Sequence, residues 1–249
     1  MSRWKAAGIH LSISLLIGLI VGALLFGVWY PPPYCHAAGA DQLVLLLVSV
    51  DIVLGPLLTL VVFKSGKWGL KFDLTLIAVM QTVALVYGLS VVLRSRPVFL
   101  VAAVDRFVLV SASEINDVDL AQGSKPEFQS LSWTGPRTVG AELPPRGAAR
   151  DELMMSGMAG QDIEKFPKYY ADYPKVAPDL LKRAKTLDQV PTRPAGAVEA
   201  LAAAVKKTGQ SADRLVWLPI VARKANLVML LDRESGEPLH AAPIDPWAN

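Results

Sequence analysis

Three apolar stretches fill most of the first 95 residues: Gly8 to about Tyr30, Leu43 to Phe63, and Leu74 to Leu93. No ordinary water-soluble domain accommodates them. Each holds roughly 20 residues or more, and at about 1.5 Å per residue a helix of that length crosses a hydrocarbon core of about 30 Å. Composition points the same way, because 52% of the 249 residues are hydrophobic and only 19% are charged, which is more apolar than soluble chains of this size. The excess lies in residues 1–95, while residues 96–249 read as mixed sequence of single-domain length. The expected fold is therefore a membrane protein, with three transmembrane α-helices (about 8–30, 43–63 and 74–93) forming a domain over 1–95. A small α+β extracytoplasmic domain over 96–249 follows.

Charge sets orientation and excludes one class of partner. Residues 1–95 carry six Lys/Arg against three Asp/Glu, and residues 96–249 carry 19 of each, so the net charge of +3 belongs wholly to the apolar part. Nucleic acid is excluded as a partner on this ground, since phosphate binding needs a concentrated basic surface. Arg3 and Lys5 precede the first stretch, no Lys or Arg lies between the first and second, and Lys64, Lys67 and Lys71 lie between the second and third. The positive-inside rule then puts the N-terminus and the lysine loop in the cytoplasm and sends the C-terminal domain outward. A cleaved signal peptide is the rival reading for the first stretch, but the apolar core from Ile9 to Val28 is too long for one. A single cysteine, Cys35, excludes an intramolecular disulfide and a cysteine-based metal cluster.

Asp51 is the most informative residue within the apolar part. A carboxylate eight positions into a span costs about 2.5–3.5 kcal/mol unless it is protonated, paired or solvated, and by default such a residue marks function. Gly55 and Thr59 follow at four-residue intervals, so Asp51, Gly55 and Thr59 form one stripe, and Pro56 frees a backbone carbonyl beside it. This polar stripe either receives a cation or another helix's polar group, or is satisfied internally by Gln81 or Thr82. In the first stretch Ser14, Gly18 and Gly22 make a ridge of small residues on which helix backbones approach closely. That ridge docks a foreign helix or packs the chain's own spans. His10 reads as an interfacial polar residue rather than a ligand.

Beyond Arg96, the run from Pro97 to Ser111 reads as one buried strand and Ser113 to Leu120 as a short helix, with loop or irregular strand between Gly123 and Pro145. Helices are expected over Ala148–Met158, near Pro178–Ala184 and over Pro194–Lys207, the last closed by Gly209. Strands are expected over Leu215–Ala222, Leu227–Leu231 and from Pro238. The order implies a small antiparallel sheet covered by helices on one face. The domain holds none of the common hydrolase, zinc or phosphate-loop motifs, and His240 is its single histidine. Asp162, Glu164 and Asp172 are acid–base candidates that a solvated polar face explains better. No catalytic residue, metal site or cofactor is expected. Trp217 and Trp247 are candidate partner anchors, although Trp247 is expected to tuck back into the core.

Several residues together resemble a known family. They are Arg3-Trp4-Lys5 with His10-Leu11, Trp29-Tyr30-Pro31, the run Asp51-Ile52-Val53-Leu54-Gly55-Pro56-Leu57-Leu58-Thr59-Leu60, Val62-Phe63-Lys64, and Lys71-Phe72-Asp73-Leu74. Arg96-Pro97-Val98-Phe99-Leu100-Val101, Val104-Asp105-Arg106-Phe107, Trp217-Leu218-Pro219 and Asp245-Pro246-Trp247 continue the likeness. The chain resembles the type IV pilin accessory proteins of the TfpX/TfpZ kind, most densely over residues 1–110. The resemblance implies a multi-pass protein of the bacterial inner membrane with a periplasmic C-terminal domain. It implies a non-enzymatic role in pilin stability and pilus assembly, with the major type IV pilin, membrane lipids and possible further pilus assembly proteins as partners. In such a role the ridge at Ser14, Gly18 and Gly22 or the polar stripe at Asp51 contacts the pilin's helix while the exported domain touches its head, and the pilin's N-terminal amine is a candidate partner for Asp51. The alternatives are a pilin-modifying, glycosyltransferase-like membrane enzyme and a membrane-anchored periplasmic sensor.

Overall fold

The computed structural model describes residues 2–193 and 196–248. Three helices are long and apolar enough to cross a membrane: Arg3–Trp29, Ala40–Val62 and Leu70–Ser95, hereafter spans 1, 2 and 3. Apolar surroundings offer the backbone no outside hydrogen-bond partner, so a long apolar run closes its own bonds as a helix. Ser2 caps span 1, its hydroxyl accepting from the Lys5 amide at 3.3 Å. Span 1 closes with a π-turn over Leu25–Trp29. Span 2 is broken midway by a second π-turn over Val50–Leu54, immediately before Pro56. Between spans 1 and 2 a short helix, Tyr34–Ala38, ends on Gly39 with φ 79°, a conformation that favours glycine.

Span 3 ends at Ser95 and the first strand starts at Pro97. The strands are β1 Pro97–Ala103, β2 Arg106–Ser111, β3 Arg137–Ala141, β4 Tyr170–Ala171, β5 Lys185–Thr186, β6 Leu215–Val221, β7 Leu227–Asp232 and β8 Pro238–Ala242. They form one sheet in the order β4-β3-β1-β2-β6-β7-β8, with β5 also pairing with β6. The sheet is mixed rather than antiparallel as expected: β1 with β3 and β2 with β6 are parallel, the other pairs antiparallel. Parallel neighbours require long crossovers, and the chain supplies them between β1 and β3 and between β2 and β6.

The run expected as one strand is a hairpin. It reverses at Val104, whose φ is 58°, with the Asp105 amide donating to the Ala103 carbonyl at 2.7 Å. The bend carries no glycine or asparagine, so the usual turn signal is missing from the sequence. Helices also cover both faces of the sheet rather than one. Leu100, Ala102, Phe107, Leu218 and Leu231 pack with Val176 and Leu180 of the helix Tyr173–Leu181. On the opposite face Trp217, Val228 and Leu230 meet Ala197 and Ala204 of the helix Ala197–Thr208, and Val101 and Val139 meet Leu153 of Ala148–Met158.

Other expectations shift by a few residues. Pro194, expected to open a helix, lies outside the described residues, and that helix is described from Ala197. Ser111 and Glu114 form a capping box around a 3₁₀ turn, with Asp117–Leu120 as a separate helix capped by Asn116. Trp247 does not tuck into the core: it is 51% exposed, its amide turned back onto the Asp245 carboxylate at 3.1 Å.

Both turns lend themselves to measurement. A β-branched residue in the left-handed region costs about 1–2 kcal/mol, a conformation asparagine adopts readily. Val104→Asn is therefore expected to stabilise the protein by about 1 kcal/mol, measured as a higher thermal midpoint in detergent. Asp232 closes the β7–β8 turn by accepting from the Ser235 and Glu234 amides at 2.8 and 2.9 Å, and these bonds, that from Ser235 foremost, hold its carboxyl down at about 2. A depressed pKa contributes stability above the unfolded carboxyl's value of about 3.9. That contribution is lost as pH falls from about 4 towards about 2. Urea midpoints should drop across this window in the native chain and drop less in Asp232→Asn.

Candidate functional site

The small ridge of span 1 faces span 2. Ser14 is buried, and a side chain added at Gly18 would meet Ile52 at 3.5 Å. Gly22 has open space before it instead, since a side-chain carbon added there would meet no atom within 4 Å. Two of the three ridge residues thus serve packing inside the bundle, and Gly22 is left uncovered.

Span 2 brings its stripe to the same interior. Gly55, Pro56 and Thr59 are buried. Thr59 shares a hydrogen bond of 2.6 Å with Nδ1 of His10, a pairing that the sequence reading did not assign to either residue. A side chain at Gly55 would collide with the Gln81 amide of span 3, so this glycine is what admits Gln81 into the bundle. Gln81 in turn donates from Nε2 to the backbone carbonyl of Asp51 at 3.4 Å. The reason lies in the helix. A π-turn pairs residue i with i−5, which would match the nitrogen of residue 56 to the Asp51 carbonyl, and residue 56 is a proline without an N–H. Gln81, one of the two internal partners foreseen for Asp51, thus bonds its backbone and also lies within reach of its carboxyl group. The carboxylate oxygen Oδ1 is buried and has no hydrogen-bond partner among the described residues.

Asp51 sits in a crevice of about 210 Å³ lined by His10, Ile13, Ser14, Ile17, Ala78, Gln81, Thr82 and Leu85. The close packing of the bundle is of span 1 on span 2 and of span 2 on span 3. The crevice is therefore the gap between spans 1 and 3, with Asp51 of span 2 at its floor. Its rim residues Ile13, Ile17, Ala78 and Thr82 are exposed on the outside of the bundle.

The folded domain is joined to the bundle by core, ions and backbone. One hydrophobic cluster runs from Val21, Leu25, Tyr30, Ala37, Leu47 and Val92 into Leu100, Phe107 and Leu218. Tyr30 donates its buried hydroxyl to the Val92 carbonyl at 2.7 Å. Arg96 is 5% exposed and donates to the carbonyls of Leu93 and Ser132 at 2.7 and 3.1 Å, with Trp133 stacked 4.6 Å away. Lys224, between β6 and β7, donates its amide to Ala37 O at 2.9 Å and its ammonium to Asp41 at 3.2 Å. The loop between spans 1 and 2 and the domain consequently share one end of the bundle.

The remaining sequence candidates are scattered. Trp217 is buried in the sheet, its indole donating to Thr186 O at 3.0 Å, so it presents no surface to a partner. Asp162 caps Ile163 at 2.7 Å and Asp172 pairs with Lys125 at 2.5 Å. Burial pushes the Glu164 carboxyl up. These carboxylates do not converge with His240, and among the described residues no group of three or more His, Cys, Asp or Glu side chains is placed to hold a metal ion.

A three-helix bundle of membrane-spanning length continuous with a mixed-sheet domain, with a lone acid in a crevice between helices, defines a membrane-associated class of protein. Comparison with known proteins gives the family. Residues 1–39 match the family described as fimbrial assembly protein FimB. The fimbrial assembly protein of serogroup I of Dichelobacter nodosus is 29% identical over 234 residues, covering 92% of this chain and 90% of that protein. The fimbrial assembly protein of serogroups C1 and C2 of the same organism is 35% identical over 114 residues, covering 45% of this chain and 86% of that protein. The chain belongs to this family of fimbrial assembly proteins, and the membership supports a role in fimbrial assembly. No solved structure is significantly similar.

Because Gly55 is the seat of Gln81, Gly55→Val is expected to expel that amide, free the Asp51 carbonyl and weaken the bundle by about 1–3 kcal/mol. The check is thermal unfolding in detergent, with Gly22→Val, which meets open space, left near the native midpoint.

Proposed function

We propose that this chain is a non-enzymatic accessory factor of type IV pilus assembly, of the TfpX/TfpZ-like kind, that holds the pilin in the inner membrane before its addition to the fibre. The observation that carries this reading is the shared core between bundle and domain. A fibre subunit with a membrane helix and a folded head has to be met at both levels at once. A domain fixed on its bundle by Tyr30, Arg96 and Lys224 offers two surfaces in constant relation, whereas a flexible tether would not.

The N-terminus and the Lys64, Lys67 and Lys71 loop lie in the cytoplasm, and the domain, with the Tyr30–Gly39 loop against it, lies in the periplasm. The positive-inside pattern supports this orientation. So does the position of loop and domain at one end of the bundle. Trp4, Trp68 and Phe72, which are exposed and belong to the other end, suit the lipid headgroups there. The crevice between spans 1 and 3 is the docking face for the pilin's apolar helix.

Photo-crosslinkers placed at Ile17 and Thr82 in intact cells should join the chain to the pilin, and deleting the chain should remove surface fibres while leaving the pilin's intact mass unchanged. Absence of any pilin adduct from both positions, with fibres still formed, would reject the holding role. A fixed mass difference in the pilin would instead favour a modifying enzyme.

A further inference from the structure

We infer that the crevice between spans 1 and 3 receives a protonated primary amine carried on an apolar helix of a partner chain, with Asp51 as its counter-ion. The inference rests on the holding role proposed above and adds the chemical group that is recognised.

Shape and polarity both point to such an occupant. Spans 1 and 3 each pack closely on span 2, and between them lies a slot lined by Ile13 and Ile17 of span 1 and by Ala78 and Leu85 of span 3. Those walls suit an apolar helix. The floor does not, because Asp51 Oδ1 is buried without a partner at the twelfth position of a 23-residue span. From the middle of a span a side chain as short as aspartate cannot reach water, and its backbone is pinned by Gln81. Held there in its charged form, a carboxylate destabilises the protein, and a cation that pairs with it offsets that cost.

The donor set selects the kind of cation. An ammonium group brings three donors and no acceptor. The lining also includes Ser14, Thr82 and Gln81, whose hydroxyl and amide oxygens have acceptor capacity. Thr82 spends its proton on the Ala78 carbonyl at 2.8 Å, which leaves its lone pairs free. His10, the other titratable group facing the crevice, has its Nδ1 taken by Thr59. A divalent metal ion takes several charged or carbonyl oxygens, and here Asp51 is the one carboxylate in the lining. A single ammonium on an apolar stem matches one carboxylate, several neutral acceptors and hydrocarbon walls.

The test uses the full-length protein in phosphatidylcholine vesicles, which contain no primary amine. The probes are labelled Leu/Ala helices in two pairs: a spanning helix of about 24 residues with a central Lys or Leu, and a half-length helix with a free or acetylated N-terminus. In at least one pair the amine form should bind at least about tenfold more tightly by energy transfer, as expected for a charge-assisted bond, and that pair identifies a side-chain or terminal amine as the source. In Asp51→Asn the preference should fall below about twofold, in Asp51→Glu it should persist, and Asp51→Asn should unfold at the native temperature or above. Equal binding within both pairs, or a preference retained in Asp51→Asn, overturns the inference. If it is overturned while Ile17 and Thr82 still crosslink to the pilin, the holding role stands without the amine.

Discussion

The structure depends on how polar groups are satisfied where no water reaches them. A helix in hydrocarbon must close every backbone bond within itself, and span 2 breaks that rule at one turn. The π-turn over Val50–Leu54 and the proline that follows it leave the Asp51 carbonyl open. A glycine at position 55 then admits Gln81 from the neighbouring span to close it. This one repair sets the packing of span 3 on span 2. The His10–Thr59 bond in turn ties span 1 to span 2. The repair leaves one oxygen of the Asp51 carboxyl group, Oδ1, buried and without a hydrogen-bond partner among the described residues.

A second constraint acts at the domain end. Strand β1 begins two residues after span 3 ends, too short a connection to act as a hinge between separate bodies. Tyr30 and Arg96 satisfy the carbonyls exposed where span 3 finishes, and Lys224 bonds the loop between the first two spans. The sheet's face over Leu100 and Phe107 merges with the bundle's apolar end. These contacts join the domain directly to the bundle, with no separate linker between them.

Periodicity reads well from sequence wherever a single interaction dominates. The three membrane-length helices, the helix Ala148–Met158 and strands β6 and β7 were visible because hydrophobic pattern alone decides them. The hairpin at Val104 was hidden, because a turn held by a valine at positive φ is imposed by the sheet around it and not by local preference. The mixed order of strands was hidden too, since parallel partners are chosen by crossovers of many residues. Trp217 and Trp247 read as similar aromatic anchors, and burial separated them: one is enclosed by the sheet and the other exposed at its edge.

The sequence by itself determined that three segments are long and apolar enough to leave water and that a carboxylate lies within one of them, because transfer free energy is a property of composition and length. It also determined that Ser14 and Gly18 share one side of their helix and Gly55 and Thr59 one side of theirs, since a period of 3.6 residues fixes which side chains lie together. Only the tertiary structure decided what those faces meet. Gln81 goes to the Asp51 backbone and His10 to Thr59, while Asp51 Oδ1 is buried without a partner among the described residues, because hydrogen-bond geometry depends on which helices become neighbours and at what depth. That choice is made by packing between distant parts of the chain, which no local pattern encodes.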